Sequence, residues 1–105
     1  MKVLFLEIDT ETEWAVASLG PAFLAAYLRA HGHEASFARV SAQTSLDELV
    51  ALVRAESAAL IGVSLTTRQW QDARRILAAL RTRLDVPIVA GGLHPTFSPE
   101  EVLAQ

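Results

Sequence analysis

The sequence predicts a three-layer α/β domain, a parallel sheet with helices on both faces. Two features carry this. Four short apolar runs rich in β-branched residues alternate with stretches whose apolar residues recur at helical spacing. Three of those runs are nearly continuously apolar, the pattern of strands buried on both faces of a parallel sheet.

The first strand is "KVLFLEI" at 2–8. A helix is predicted over 19–30, where Leu19, Phe23, Ala26, Tyr27 and Ala30 fall at helical spacing and Gly32 in "HGH" supplies the stop. "EASFARV" at 34–40 alternates in polarity and reads as a strand nearer an edge. Leu46, Leu49, Val50 and Val53 share one face of a helix over 46–55, opened by Ser45 with Glu48 in a capping box. The third strand is "ALIGVSL" at 59–65. The next helix, 68–84, carries Trp70, Ala73, Ile76, Leu77, Leu80 and Leu84 inward, with Arg68, Asp72, Arg75 and Arg81 toward water. "VPIVAG" at 86–91 is the fourth strand, and "SPEE" at 98–101 opens a last helix through a second capping box with Pro99 at its first position.

Strand and helix in alternation give right-handed crossovers in one sheet. No linker, repeat or low-complexity segment interrupts the 105 residues, which are read as a single domain. No G-x-G-x-x-G follows the first strand, so a flavodoxin-like (Rossmann-like) order 2-1-3-4 is favoured over a dinucleotide-binding one. Such sheets usually carry a fifth strand. The sequence stops in mid-helix before it, and reads as a fragment truncated at its carboxyl end, with an unpaired fourth-strand edge that predicts self-association.

Composition narrows the chemistry. Net charge is −3 with the basic residues dispersed, which argues against a nucleic-acid surface. No run reaches the ~20 apolar residues of a membrane span, and "MKVLFLEID" lacks signal-peptide features, so the expectation is cytoplasmic. Without cysteine there is no disulfide, thiolate nucleophile or cysteine-held iron–sulfur cluster, and His31, His33 and His94 match no standard metal spacing.

Ligands in open parallel sheets bind beyond the carboxyl ends of the strands. That points to the loops 9–18 ("DTETEWAVAS"), 64–68 ("SLTTR") and 91–97 ("GGLHPTF"), and assigns the remaining loops, with His31 and His33, to the opposite rim. Gly91 and Gly92 are either a tight turn or a face cleared of side chains for a flat ligand. Ser64 and Thr66, followed by Thr67 as N-cap, either end a strand or give a slot its polar lining. His94 reads as a hydrogen-bonded loop residue before a ligand or base, Trp14 as surface anchor or aromatic lid, and Trp70 as core. Glu7, Asp9, Glu11 and Glu13 form an acidic cluster that reads as solvated before cation-binding. A phosphoacceptor aspartate at the end of the third strand, a phosphate loop, a nucleophile elbow and a zinc-protease motif are all missing.

Together "MKVLFLEID", "LGPAFLAAYLRAHGHEASF" at 19–37, "IGVSLTT" at 61–67 and above all "VPIVAGGLHPTFSPEEVL" at 86–103 resemble the N-terminal cobalamin-binding domain of cobalamin-dependent radical SAM enzymes. The resemblance implies a corrin across the carboxyl ends of the strands and its nucleotide tail in a slot beside the sheet. It places Asp9, Thr10, Glu11, Trp14, Ser64, Leu65, Thr66, Thr67, Gly91, Gly92, Leu93, His94, Pro95 and Thr96 around cobalamin. It implies no catalytic residue and no protein-held metal in this chain.

The broader cobalamin-binding fold carries D-x-H-x-x-G after the first strand; here "DTETEW" puts Glu11 where that cobalt-ligating histidine falls. The implied cobalt lacks a histidine from this loop, its lower face open, water-bound or covered by Trp14, which favours a cobalt(I) nucleophile and methyl transfer. The iron–sulfur cluster and S-adenosylmethionine would belong to a C-terminal radical SAM domain outside this sequence. Two readings compete: a cofactor-free docking or substrate-recognition domain of the same fold, and a small α/β signalling domain.

Overall fold

The computed structural model describes residues 1–8, 19–41, 43–65 and 67–104, with the backbone alone for Leu19, Thr67, Arg68, Leu93 and His94. The elements run β1 (Lys2–Ile8), α1 (Leu19–Ala30), β2 (Glu34–Val40), α2 (Leu46–Glu56), β3 (Leu60–Ser64), α3 (Thr67–Arg83), β4 (Ile88–Gly91), α4 (Leu93–Phe97) and α5 (Pro99–Leu103). The four strands form one parallel sheet in the order β2-β1-β3-β4, the flavodoxin-like order the sequence predicts. β1 pairs with β2 from Lys2↔Glu34 to Ile8↔Val40, and with β3 from Val3↔Leu60 to Leu6↔Val63. β3 pairs with β4 from Ile61↔Ile88 to Ser64↔Gly91.

Because successive strand residues point to opposite faces, the sheet divides its apolar side chains between two layers. Leu4, Leu6, Ile8, Val40, Ile61 and Val63 join Leu49, Val50 and Val53 of α2 and Trp70, Ala73, Leu77 and Leu80 of α3 in the larger core. Full burial of each large aliphatic side chain there contributes roughly 1.5–3 kcal/mol. Val3 and Phe5 point the other way, against Ala25 of α1, with Leu28, Ala35 and Leu60 packed around them.

The inward face of α1 differs from the expected one. Phe23 and Tyr27 are 73% and 63% exposed, and Ala26 and Ala30 are exposed too; Pro21 and Ala25 are buried and Leu28 is half-buried. "LGPAFLAAYLRA" is apolar almost all round, so periodicity offers several faces. The sheet takes the one whose small residues allow close approach. α1 then ends as predicted: Gly32 adopts φ +84°, and the His33 N–H donates to the Leu28 carbonyl at 2.9 Å.

α2 has the predicted start, with Ser45 Oγ accepting from the Glu48 N–H at 3.1 Å. "SPEE" does not repeat it. Ser98 (φ −134°, ψ 55°) makes no side-chain cap bond, being the lone residue between Phe97, the end of α4, and Pro99, the start of α5. The segment read as loop, 91–97, contains the helix α4. Its proline is tolerated because Pro95 lies in the first turn, where the N–H has no intrahelical acceptor.

At the rim where the strands begin, Lys2 Nζ lies 2.9 Å from Glu56 Oε2, and Ser36 Oγ donates to the same oxygen at 3.2 Å. The hydrogen bond from Lys2, then that from Ser36, holds the Glu56 carboxyl below its ordinary pKa. The bond to Glu56 likewise raises that of Lys2. This ties β1, β2 and the end of α2 together on the rim away from the candidate site.

Candidate functional site

The site grows out of the glycine pair. At the last rung of β3 and β4, Ser64 lies in register with Gly91, and the Leu65 N–H donates to the Gly91 carbonyl at 2.8 Å. Gly92 then turns the chain with φ +99°, a conformation side chains resist. A Cβ there would come within 2.9 Å of Leu65 O and 3.0 Å of both Leu65 N and Ser64 Oγ. The Gly92 carbonyl accepts from Thr96 Oγ1 at 2.6 Å and from the Thr96 N–H at 3.3 Å. Gly92 is therefore the turn of the first alternative.

Gly91 is different. Its φ is ordinary and a Cβ there would meet nothing within 4 Å. The fold itself does not require this residue to lack a side chain. Alternation along β4 sends Ile88 and Ala90 into the larger core and leaves Val89, 56% exposed, and Gly91 on the α1 side. On β3 the same side carries Leu60, Gly62 and Ser64, and Gly62 is so closely covered that a Cβ would sit 2.8 Å from Phe5 Cδ1. Gly62 lies under the Phe5 ring, while Ser64, Val89 and Gly91 line the uncovered part of this side, a shallow trough with one hydroxyl and one small apolar side chain, open at the carboxyl rim. Its bare backbone and bonding groups fit a broad, amide-bearing ligand such as cobalamin.

The structure brings together Ser64, Leu65, Gly91, Gly92 and Thr96 of the predicted site, whereas Pro95 lines a groove between α3, β4 and α5 on the other face of the sheet. Leu65 is buried in the larger core, so it contributes backbone. Pro95 is half-buried and Thr96 exposed. Thr67 already belongs to α3 and is not its N-cap. Leu93 and His94 lie in α4, their side chains outside the description, and Asp9, Thr10, Glu11, Trp14 and Thr66 lie outside the described residues altogether. Trp70 is core, 3% exposed. His31 stacks on Tyr27 at 4.1 Å between ring centroids, and His33 Nδ1 lies 3.1 Å from the N-terminal amine, both at the opposite rim as expected. Among the described residues no cluster of His, Asp and Glu is placed to hold a metal, and Glu7 lies 3.8 Å from Arg39.

Sequence reasoning missed Val89, and the close cover of Gly62 by Phe5 beside it. A glycine inside "LIGVS" was the available signal, since strand glycines mark close approach. It also left 41–45 off the carboxyl rim. Val40 pairs with Ile8, so Ser41, Thr44 and Ser45 lie on that rim, where Ser41 N donates to Thr44 Oγ1 at 3.1 Å beside a cavity of about 320 Å³. A larger groove, about 690 Å³, lies between α3, β4 and α5 on the other face of the sheet from the trough, lined by Leu77, Ile88 and Val102 among others.

No curated protein matches the chain. It is similar in structure to the cobalamin-dependent S-adenosylmethionine radical enzyme OxsB, solved with aqua-cobalamin and S-adenosylmethionine bound, with a TM-score of 0.77 and 19% identity. The alignment covers 98% of this chain and 15% of that one, and shows a shared fold. The family model of the B12 binding domain matches residues 9–105. With nearly the whole sequence matched, and a trough whose open glycine the fold does not demand, the chain belongs to the B12-binding domain family.

Proposed function

We propose that this domain holds cobalamin for a radical SAM domain elsewhere in a longer polypeptide, and that the cofactor serves methyl transfer. The observation that carries the reading is Gly91, where a side chain would meet nothing within 4 Å, at the carboxyl rim of a B12-binding fold. Bound cobalamin would supply a cobalt centre able to carry a methyl group.

The chain's own residues bind and orient. Ser64, Val89 and Gly91 would receive the edge of the ligand, with the Ser64 hydroxyl offering a hydrogen bond. Leu65 and Thr96 hold the Gly91–Gly92 backbone from either side. Glu11 stands where the broader fold has its cobalt-ligating histidine, so the cobalt receives no imidazole from residues 9–18. Asp9, Thr10, Trp14, Thr66, Thr67, Leu93 and His94 complete the proposed surroundings. β4 stands last in the described sheet, and its outer edge is the surface we assign to self-association.

Titration with hydroxocobalamin, followed by absorbance, tests both parts. The expected result is saturable binding with a spectrum that lacks a histidine-ligated signature and is unchanged in His94→Ala. Absence of binding would overturn the cofactor-holding role. A histidine signature lost in His94→Ala would overturn the ligation.

A further inference from the structure

Gln69 lies in the first turn of α3, and its Nε2 donates to the Ile8 carbonyl oxygen at 2.8 Å across 61 residues of sequence. This bond continues the sheet where strand pairing has stopped. The Ala59 N–H donates to the Lys2 carbonyl at 2.9 Å, so Lys2 faces β3. Carbonyls of alternate residues in a strand point the same way, and those of Leu4, Leu6 and Ile8 therefore face β3 as well. Registered pairing ends at Leu6↔Val63 and β3 ends at Ser64. The Ile8 carbonyl projects past that last pair, and the Gln69 amide meets it.

The location gives the bond its meaning. Ile8 is where β1 hands over to residues 9–18, and Gln69 stands in the first turn of the helix that follows β3 in the chain. With the Leu65–Gly91 bond it links the ends of β1, β3 and β4 along one rim. We propose that Gln69 is a positioning residue for the cobalamin site, fixing the carboxyl end of β1 relative to the start of α3. This rests on the cobalamin-binding reading above, and assigns Gln69 no contact with the cofactor.

Only a donor of the right length serves, which makes the role testable. Gln69→Glu keeps the shape but, when ionised, has no proton to donate; protonated, it regains an O–H donor. Gln69→Leu has none at any pH. Hydroxocobalamin affinity is measured for each variant as a ratio to wild type at the same pH, with the urea midpoint and amide exchange of the ligand-free 2–8 peptide recorded alongside. We expect both variants to bind about tenfold more weakly at neutral pH, and Gln69→Glu alone to recover toward the wild-type ratio as its carboxyl protonates, with faster exchange at the end of β1 wherever the donor is missing. Wild-type affinity in both variants overturns the proposal. So does an equal loss in both that follows the urea midpoint and shows no recovery at low pH. If wild type itself binds no cobalamin, the proposed function fails, and the exchange of the 2–8 peptide still reports whether Gln69 holds β1.

Discussion

The Phe5 ring lies over Gly62, close enough that a Cβ at residue 62 would fall 2.8 Å from Cδ1 and 2.9 Å from Cε1. Phe5 is 5% exposed and stacks on Phe37 with centroids 5.5 Å apart, so the ring has little freedom to withdraw. Gly62→Ala is expected to lose about 1–3 kcal/mol in urea unfolding, the usual cost of overpacking. Combining it with Phe5→Leu should recover part of that loss, as a double-mutant cycle would register.

The two glycines of the site should separate cleanly. Gly92→Ala forces a side chain into φ +99° and against Leu65 backbone, and should destabilise by about 1–3 kcal/mol. Gly91→Ala meets nothing within the protein and should leave the urea midpoint unchanged or slightly raised. Cobalamin titration of the Gly91 variant should nevertheless show weaker binding, and more so for Gly91→Leu.

Two serines that look alike in sequence should also behave differently. Ser45→Ala removes the bond to the Glu48 N–H and is expected to cost about 1 kcal/mol. Ser98→Ala removes no cap bond and should cost much less. Thermal melts of the two variants check this.

The Lys2–Glu56 pair sets a pH signature. The folded pKa of Glu56 is lowered, so its contribution is present above the unfolded value and disappears as pH falls through the folded one. That of Lys2 is raised, so its contribution is complete below the unfolded value and is lost as pH rises through the folded one. The difference in urea midpoint between wild type and Glu56→Gln should therefore be level near neutrality and shrink below about pH 5 and above about pH 10. Added salt should reduce it at neutral pH, since both side chains are partly exposed.

Much of the fold was legible because strand alternation and helix caps are local. β1 and β2 match the runs at 2–8 and 34–40, and the order β2-β1-β3-β4 is the one favoured by the missing dinucleotide fingerprint. What escaped was decided by neighbours. The inward face of α1 depends on how closely Ala25 approaches Val3 and Phe5, which an apolar-all-round helix does not disclose. α4 exists because Gly92 turns the chain and Thr96 closes back on its carbonyl; Pro95 disguises it. At the site, "GG" announced a special place but not a division of labour. That appeared once Leu65 was seen against Gly92, and open space beside Gly91.

The bonds around Gly91 and Gly92 also bear on the thermodynamics of recognition. Glycine is the residue with most backbone freedom to lose. Here the Leu65 N–H fixes one carbonyl of the pair and Thr96 fixes the other with two donors, all without any ligand. The disorder of this segment is surrendered during folding, so a ligand arriving at the rim need not order it again. Association at Gly91 should then carry a small conformational entropy penalty, and removing one of the two Thr96 donors with Thr96→Val should make binding entropically worse while leaving Ser64, Val89 and Gly91 unaltered.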